Sequence, residues 1–140
     1  MDLFHSGSFF EMVFPPWLLH LYAIAIGLVV GSFLNVVIWR LPREESIIRP
    51  GSSCPKCKKR IKWYDNIPVL SYVALRGKCR GCHKKIPFRY PLVELLTGFL
   101  FWFTAYKFGW SWLLFVRDWP FVAALITVTF IDLDHRIIPD

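Results

Sequence analysis

The sequence predicts an all-α polytopic membrane protein, with about three transmembrane helices and a cytoplasmic zinc-binding loop that holds short strands. Three observations lead there. Of 140 residues 55% are hydrophobic and 18% aromatic, with mean hydropathy +0.41, which is greasier than a soluble domain of this length. Long uncharged runs flank a basic middle. That middle contains all four cysteines, as two Cys-x-x-Cys pairs.

Residues 1–16 carry Asp2 and Glu11 and no Lys or Arg, and read as an extracytoplasmic N-terminus. Residues 17–39 hold no formal charge and suffice for a first transmembrane helix, with Trp17 and Trp39 at interfacial positions. A signal peptide would need a basic start, a shorter apolar core and a small-residue cleavage site, and none is present. Gly27 and Gly31 form a small-x-x-x-small face that can admit another helix closely. Asn35, at membrane depth, needs a partner for its amide and is expected to bond a helix or backbone.

Residues 40–91 form the cytoplasmic four-cysteine loop. It holds 14 of the 17 Lys and Arg against Glu44, Glu45 and Asp65, a net +11, while the remainder of the chain is −4. The positive-inside rule accounts for such a clump, so the charge implies no nucleic-acid partner and points to anionic membrane lipids. Cys54, Cys57, Cys79 and Cys82 have the C-x2-C-x21-C-x2-C spacing of a structural zinc site. Two disulfides would require an oxidising compartment, which this topology opposes. Four thiolates leave no open coordination position, so the metal would order the loop and not catalyse. Six prolines exclude a long helix there. The alternating segment Arg60-Ile61-Lys62-Trp63-Tyr64 reads as a short strand, and Ile67–Leu75 as a short helix or strand against the membrane surface or the metal module.

Residues 92–110 predict a second transmembrane helix that begins after Pro91, with Glu94 near its start. An acid there stabilises the helix dipole, and a carboxylate beside lipid is also a functional candidate. Residues 111–133 predict a third, whose effective start lies near Pro120. Residues 134–140 form a cytoplasmic acidic motif. Asp132 and Arg136 are spaced i, i+4 for pairing, whereas Asp132 and Asp134 lie ~200° apart on a helix and cannot meet at one water.

Four stretches together resemble the bacterial type IV prepilin peptidase (prepilin leader peptidase/N-methyltransferase) family. They are Gly31-Ser32-Phe33-Leu34-Asn35 through Arg40-Leu41-Pro42, the four cysteines, Arg89-Tyr90-Pro91-Leu92-Val93-Glu94, and Ile131-Asp132-Leu133-Asp134-His135 with Ile138-Pro139-Asp140. The resemblance implies a multi-pass inner-membrane enzyme with its N-terminus outside. Such an enzyme cleaves the leader of prepilins and pseudopilins at the cytoplasmic face, then methylates the new N-terminal residue from S-adenosylmethionine. It implies Asp132 as the first catalytic aspartate, with Asp134 as the alternative. The family's second aspartate sits in a Gly-x-Gly-Asp motif, which these 140 residues do not contain. The resemblance therefore implies an N-terminal portion that is not proteolytically competent alone.

Two other classes compete. One is a non-enzymatic, membrane-anchored zinc module that recruits a protein or lipid. The other is a magnesium site on Asp132-Leu133-Asp134, for which no phosphate-cradling glycine loop is present.

Overall fold

A computed structural model describes residues 9–48, 54 and 57–135. After a short helix α1 (Phe9–Val13), helix α2 (Pro16–Arg40) opens on a proline, which a first helical position accepts because its amide would have no partner there. A 3-10 turn, Leu41–Arg43, continues it. The helical run Pro16–Arg43 spans 28 residues, longer than a ~30 Å hydrocarbon core requires, and contains an 18-residue window at mean hydropathy 2.3. Helix α3 (Leu70–Ala74) lies in the loop, followed by α4 (Arg89–Phe108) and α5 (Trp119–His135). A wide π-type turn, Leu114–Asp118, leads into α5, and together they give a second run, Leu114–Asp134, of 21 residues with an 18-residue window at mean hydropathy 1.6.

Two runs, not about three, are thus long and apolar enough to cross a bilayer among the described residues. Helix α4 has the length, but Arg89, Glu94 and Lys107 lower its apolarity. It also starts at Arg89 and not at Leu92, because Pro91 falls in the first turn, where its missing amide costs nothing. Helix α5 starts at Trp119, next to the expected Pro120.

Helices α2 and α4 pack closest, through their glycines. A Cβ added at Gly27 would lie 2.5 Å from the Gly98 Cα, and one at Gly31 would lie 2.7 Å from the Glu94 Cα. The backbones approach to a distance that no side chain at these positions allows, which is the role the glycine spacing predicts. Helix α5 closes the bundle on an aromatic floor. Trp119 stacks on Phe101 at 4.8 Å and donates its indole N–H to the Phe101 carbonyl at 3.2 Å. Leu34, Ile38, Val93 and Ile126 form the core at the other end, beside the loop.

The expected strands are absent among the described residues, where β pairing reduces to isolated bridges such as Lys78 with Lys85. Trp63–Asn66 instead coils into a 3-10 turn. Its residues are held by partners outside a ladder: the Ser71 hydroxyl bonds the Tyr64 carbonyl at 2.9 Å, and Arg80 grips Asp65. The Ile67–Leu75 stretch contains the short helix α3, one of its two expected forms.

Replacing Gly27 with Ala is expected to lower stability by about 1–3 kcal/mol, the usual cost of overpacking. Thermal unfolding of the detergent-solubilised protein checks this, and an unchanged midpoint would mean that the helices are not in contact here.

Candidate metal centre and acidic helix end

The two cysteine pairs are built alike. In the first, the Cys54 amide donates to the Lys59 carbonyl (3.0 Å) and the Lys58 amide to the Cys54 carbonyl (2.9 Å). In the second, the Cys79 amide donates to the Lys84 carbonyl (2.9 Å) and the His83 amide to the Cys79 carbonyl (2.9 Å). Lys58 and His83 occupy the same place in each turn and both take the left-handed conformation, at φ 56°. That conformation costs a non-glycine residue about 1–2 kcal/mol, so the turns need something that holds them closed.

The sulfurs show what that is. All four Sγ atoms lie within 4.8 Å of one another, with Cys54 to Cys82 at 3.8 Å and Cys57 to Cys79 at 3.9 Å. A tetrahedral zinc with ~2.3 Å Zn–S bonds spaces its sulfurs ~3.8 Å apart, so the donor set fits a metal ion such as zinc. Gly81 lies against the cluster, where an added Cβ would stand 3.5 Å from the Cys57 Sγ and 3.0 Å from the Lys59 Cδ. The Lys59 amide pulls Cys57 down, but burial and hydrogen bonds with the other three sulfurs outweigh it and push this thiol from 9.0 to about 11. A bound divalent cation reverses that preference and makes four thiolates compatible.

An ion pair braces the module. The Arg80 guanidinium, inside the second turn, donates twice to Asp65 at 2.9 Å, through Nε and NH2. This holds the Asp65 carboxyl below the usual carboxylate range and Arg80 above its own. The pair's contribution is full above the ordinary carboxylate pKa of ~3.9 and is lost as pH falls through the lowered folded value.

Glu94 joins the module to the bundle. It is 9% exposed, lies in the second turn of α4 and accepts the Val69 amide at 2.6 Å and the Ser32 hydroxyl. Its role as a first-turn dipole stabiliser is therefore not what the structure shows: it clamps the loop to α2 and α4. Val69 itself is left-handed, at φ 60°, which aims its amide at the carboxylate.

Asn35 and the end of α5 complete this end of the bundle. The Asn35 side-chain amide donates to the Tyr90 carbonyl at 3.0 Å, the backbone partner expected from sequence. Arg89 donates to Asp134. Residue 89 opens α4 shortly after the second cysteine turn, so this contact puts the acidic end of α5 at the end of the bundle from which the cysteine loop departs. Asp132 is half-buried and Asp134 exposed. Both lie on one helix that persists to His135, so these two carboxylates do not converge. Arg136 and the Ile138-Pro139-Asp140 motif lie outside the described residues.

The comparisons with known proteins agree with this geometry. The Bacterial Peptidase A24 N-terminal domain matches residues 25–108, which run from the glycine face of α2 to the end of α4. The chain belongs to the prepilin leader peptidase/N-methyltransferase family. It is 53% identical over 118 residues to a prepilin leader peptidase/N-methyltransferase of Myxococcus xanthus, covering 84% of this chain and 35% of the relative. A prepilin leader peptidase/N-methyltransferase of Neisseria gonorrhoeae is 42% identical, covering 91% of this chain and 52% of the relative. The chain thus spans about a third to a half of the length of these curated relatives. No solved structure matches it.

Sequence reasoning missed the roles of three members of this site. Arg80 looked like one more charge in a basic loop and Val69 like part of an apolar run, while Arg89 stood out only within the Arg89–Glu94 motif, with no partner suggested for it.

Cys79→Ser is expected to lower bound metal severalfold in elemental analysis of the purified protein. Unsubstituted protein should release metal on acidification, because protons compete for the thiolates. Metal content that neither change alters would exclude the four-sulfur site.

Proposed function

We propose that this protein acts as a prepilin peptidase. It cleaves the leader of type IV prepilins or pseudopilins at the cytoplasmic membrane face, and methylates the exposed N-terminal residue with S-adenosylmethionine as donor. The observation that carries this reading is the Arg89–Asp134 contact, which joins the acidic end of α5 to the cysteine module in a chain of this family. In this reading α2, α4 and α5 are three membrane spans, with the N-terminus outside and residues 40–91 in the cytoplasm of a bacterial inner membrane. The basic loop and the acidic N-terminal segment support that orientation.

Asp132 is assigned as the first catalytic carboxylate, and Asp134 is the alternative. Aspartic peptidase chemistry needs two carboxylates sharing one proton. One takes a proton from the attacking water while the other polarises or protonates the scissile carbonyl, and their repulsion separates their pKa values. Since Asp132 and Asp134 face apart, the second carboxylate comes from another segment. Engagement with Arg89 favours a positioning role for Asp134.

Cys54, Cys57, Cys79 and Cys82 would hold structural zinc, whose contribution is to tie the two turns together. Residues of this chain then do the positioning. Glu94 fixes Val69 to the bundle, Asn35 fixes the start of α4 through Tyr90, and Arg89 orients the end of α5.

In the full-length protein Asp132→Asn is expected to reduce leader cleavage by about 10²–10⁴-fold, while Asp134→Asn has a smaller effect. Cleavage of a purified prepilin, scored by mass spectrometry, tests both. Activity retained by both variants would contradict the assignment, and loss confined to Asp134→Asn would exchange the two roles.

A further inference from the structure

A cleft of about 630 Å³ lies between α2 and the turn Trp63–Pro68. It follows α2 from Val29 to Arg40. At ~1.5 Å per residue that is a rise of about 16 Å, near half of a ~30 Å hydrocarbon core. The long wall is apolar, made by Val29, Phe33 and Val36, which recur at helical spacing on one face. On α2 the wall ends at Arg40, and Ile47, Ile48, Trp63 and Asn66 are among the residues that complete the lining.

The cleft opens sideways and not into the core. Val29 is 62% exposed, Phe33 54% and Trp63 79%. No acidic side chain lines it among the described residues. The Arg40 guanidinium donates one N–H to the Ser46 carbonyl at 3.1 Å, which holds its head at this end of the helix. Arginine has five donors in a fork suited to phosphate.

We propose that this cleft binds an anionic phospholipid of the cytoplasmic leaflet, with one acyl chain along Val29, Phe33 and Val36 and its phosphate at Arg40 and Asn66. The proposal rests on the reading of α2 as a membrane span with Arg40 at the cytoplasmic end. Three features select this occupant. The apolar wall has the length of one leaflet, a cation sits where it ends on α2, and the lining adds the Asn66 amide and the amphipathic ring of Trp63, which favours headgroup depth. The surrounding loop, at net +11, complements an anionic headgroup and repels a cationic one. A free phosphate would gain nothing from the apolar wall. The lipid would bridge α2 to the turn that carries Val69, and so reinforce the Glu94 clamp.

The test is native mass spectrometry of the full-length protein after reconstitution in nanodiscs of mixed phosphatidylcholine and phosphatidylglycerol and release into neutral detergent. Wild-type protein is expected to retain one phosphatidylglycerol. Arg40→Gln is expected to reduce that retention about tenfold, as loss of a charge-assisted contact would. Val36→Trp, which fills the apolar wall, should reduce it too. Arg76→Gln removes the same charge outside the cleft and should leave it unchanged. Equal retention by Arg40→Gln and wild type, equal retention of phosphatidylcholine, or displacement of the lipid by inorganic phosphate alone would each overturn the proposal. Carbonate extraction of the same membranes separates the two failures. A chain washed off the membrane loses the membrane reading, whereas an integral chain that holds no lipid loses only the lipid site.

Discussion

Four sulfurs drawn within 4.8 Å of one another are the constraint on which this structure depends. Residues 40–91 are too polar and too interrupted by proline to form a core, and among their described residues before α4 only Cys54, Ser71 and Gly77 are buried. Ordering so many residues costs conformational entropy that the local contacts of such a loop do not offset. A metal ion held by the cluster of Cys54, Cys57, Cys79 and Cys82 would supply the missing free energy and fix both left-handed turns. From that point the loop has defined places for Arg80, Val69 and Arg89.

The bundle provides the second fixed body. Gly27 and Gly31 on α2 let α4 approach so closely that Glu94, one turn before Gly98, lies under Ser32 and reaches the Val69 amide. A carboxylate at that depth would be costly alone. Here it accepts two hydrogen bonds, and in doing so converts a loop tethered at two ends into one seated on the helices. Arg89 extends the same seat to α5, because α4 leaves the second cysteine turn with this residue first.

Much of this was legible in the sequence, because the signals were local. The cysteine spacing located the four-sulfur cluster, the uncharged run located α2, and the small residues at 27 and 31 identified its contact face. Asn35 was expected to find a backbone partner and did, in Tyr90. Where the sequence misled, tertiary contacts decided. Alternation in Arg60–Tyr64 fits a strand, but Asp65 is taken by Arg80 and the Tyr64 carbonyl by Ser71, so the backbone curls instead. The Arg89–Asp134 pair joins residues 45 apart, and no periodicity signals it. The role of Glu94 depends on a neighbouring helix, which a position in its own helix cannot reveal.

The central claim is that metal ligation orders the loop and thereby seats it on the bundle. Amide hydrogen exchange of the full-length protein, with and without a chelator, measures this most directly. The account predicts that chelation removes protection from the amides of Val69, Cys79 and Ile86, while those in the middle of α2 and α4 stay protected. Unchanged protection across the loop after the metal has been removed would contradict it.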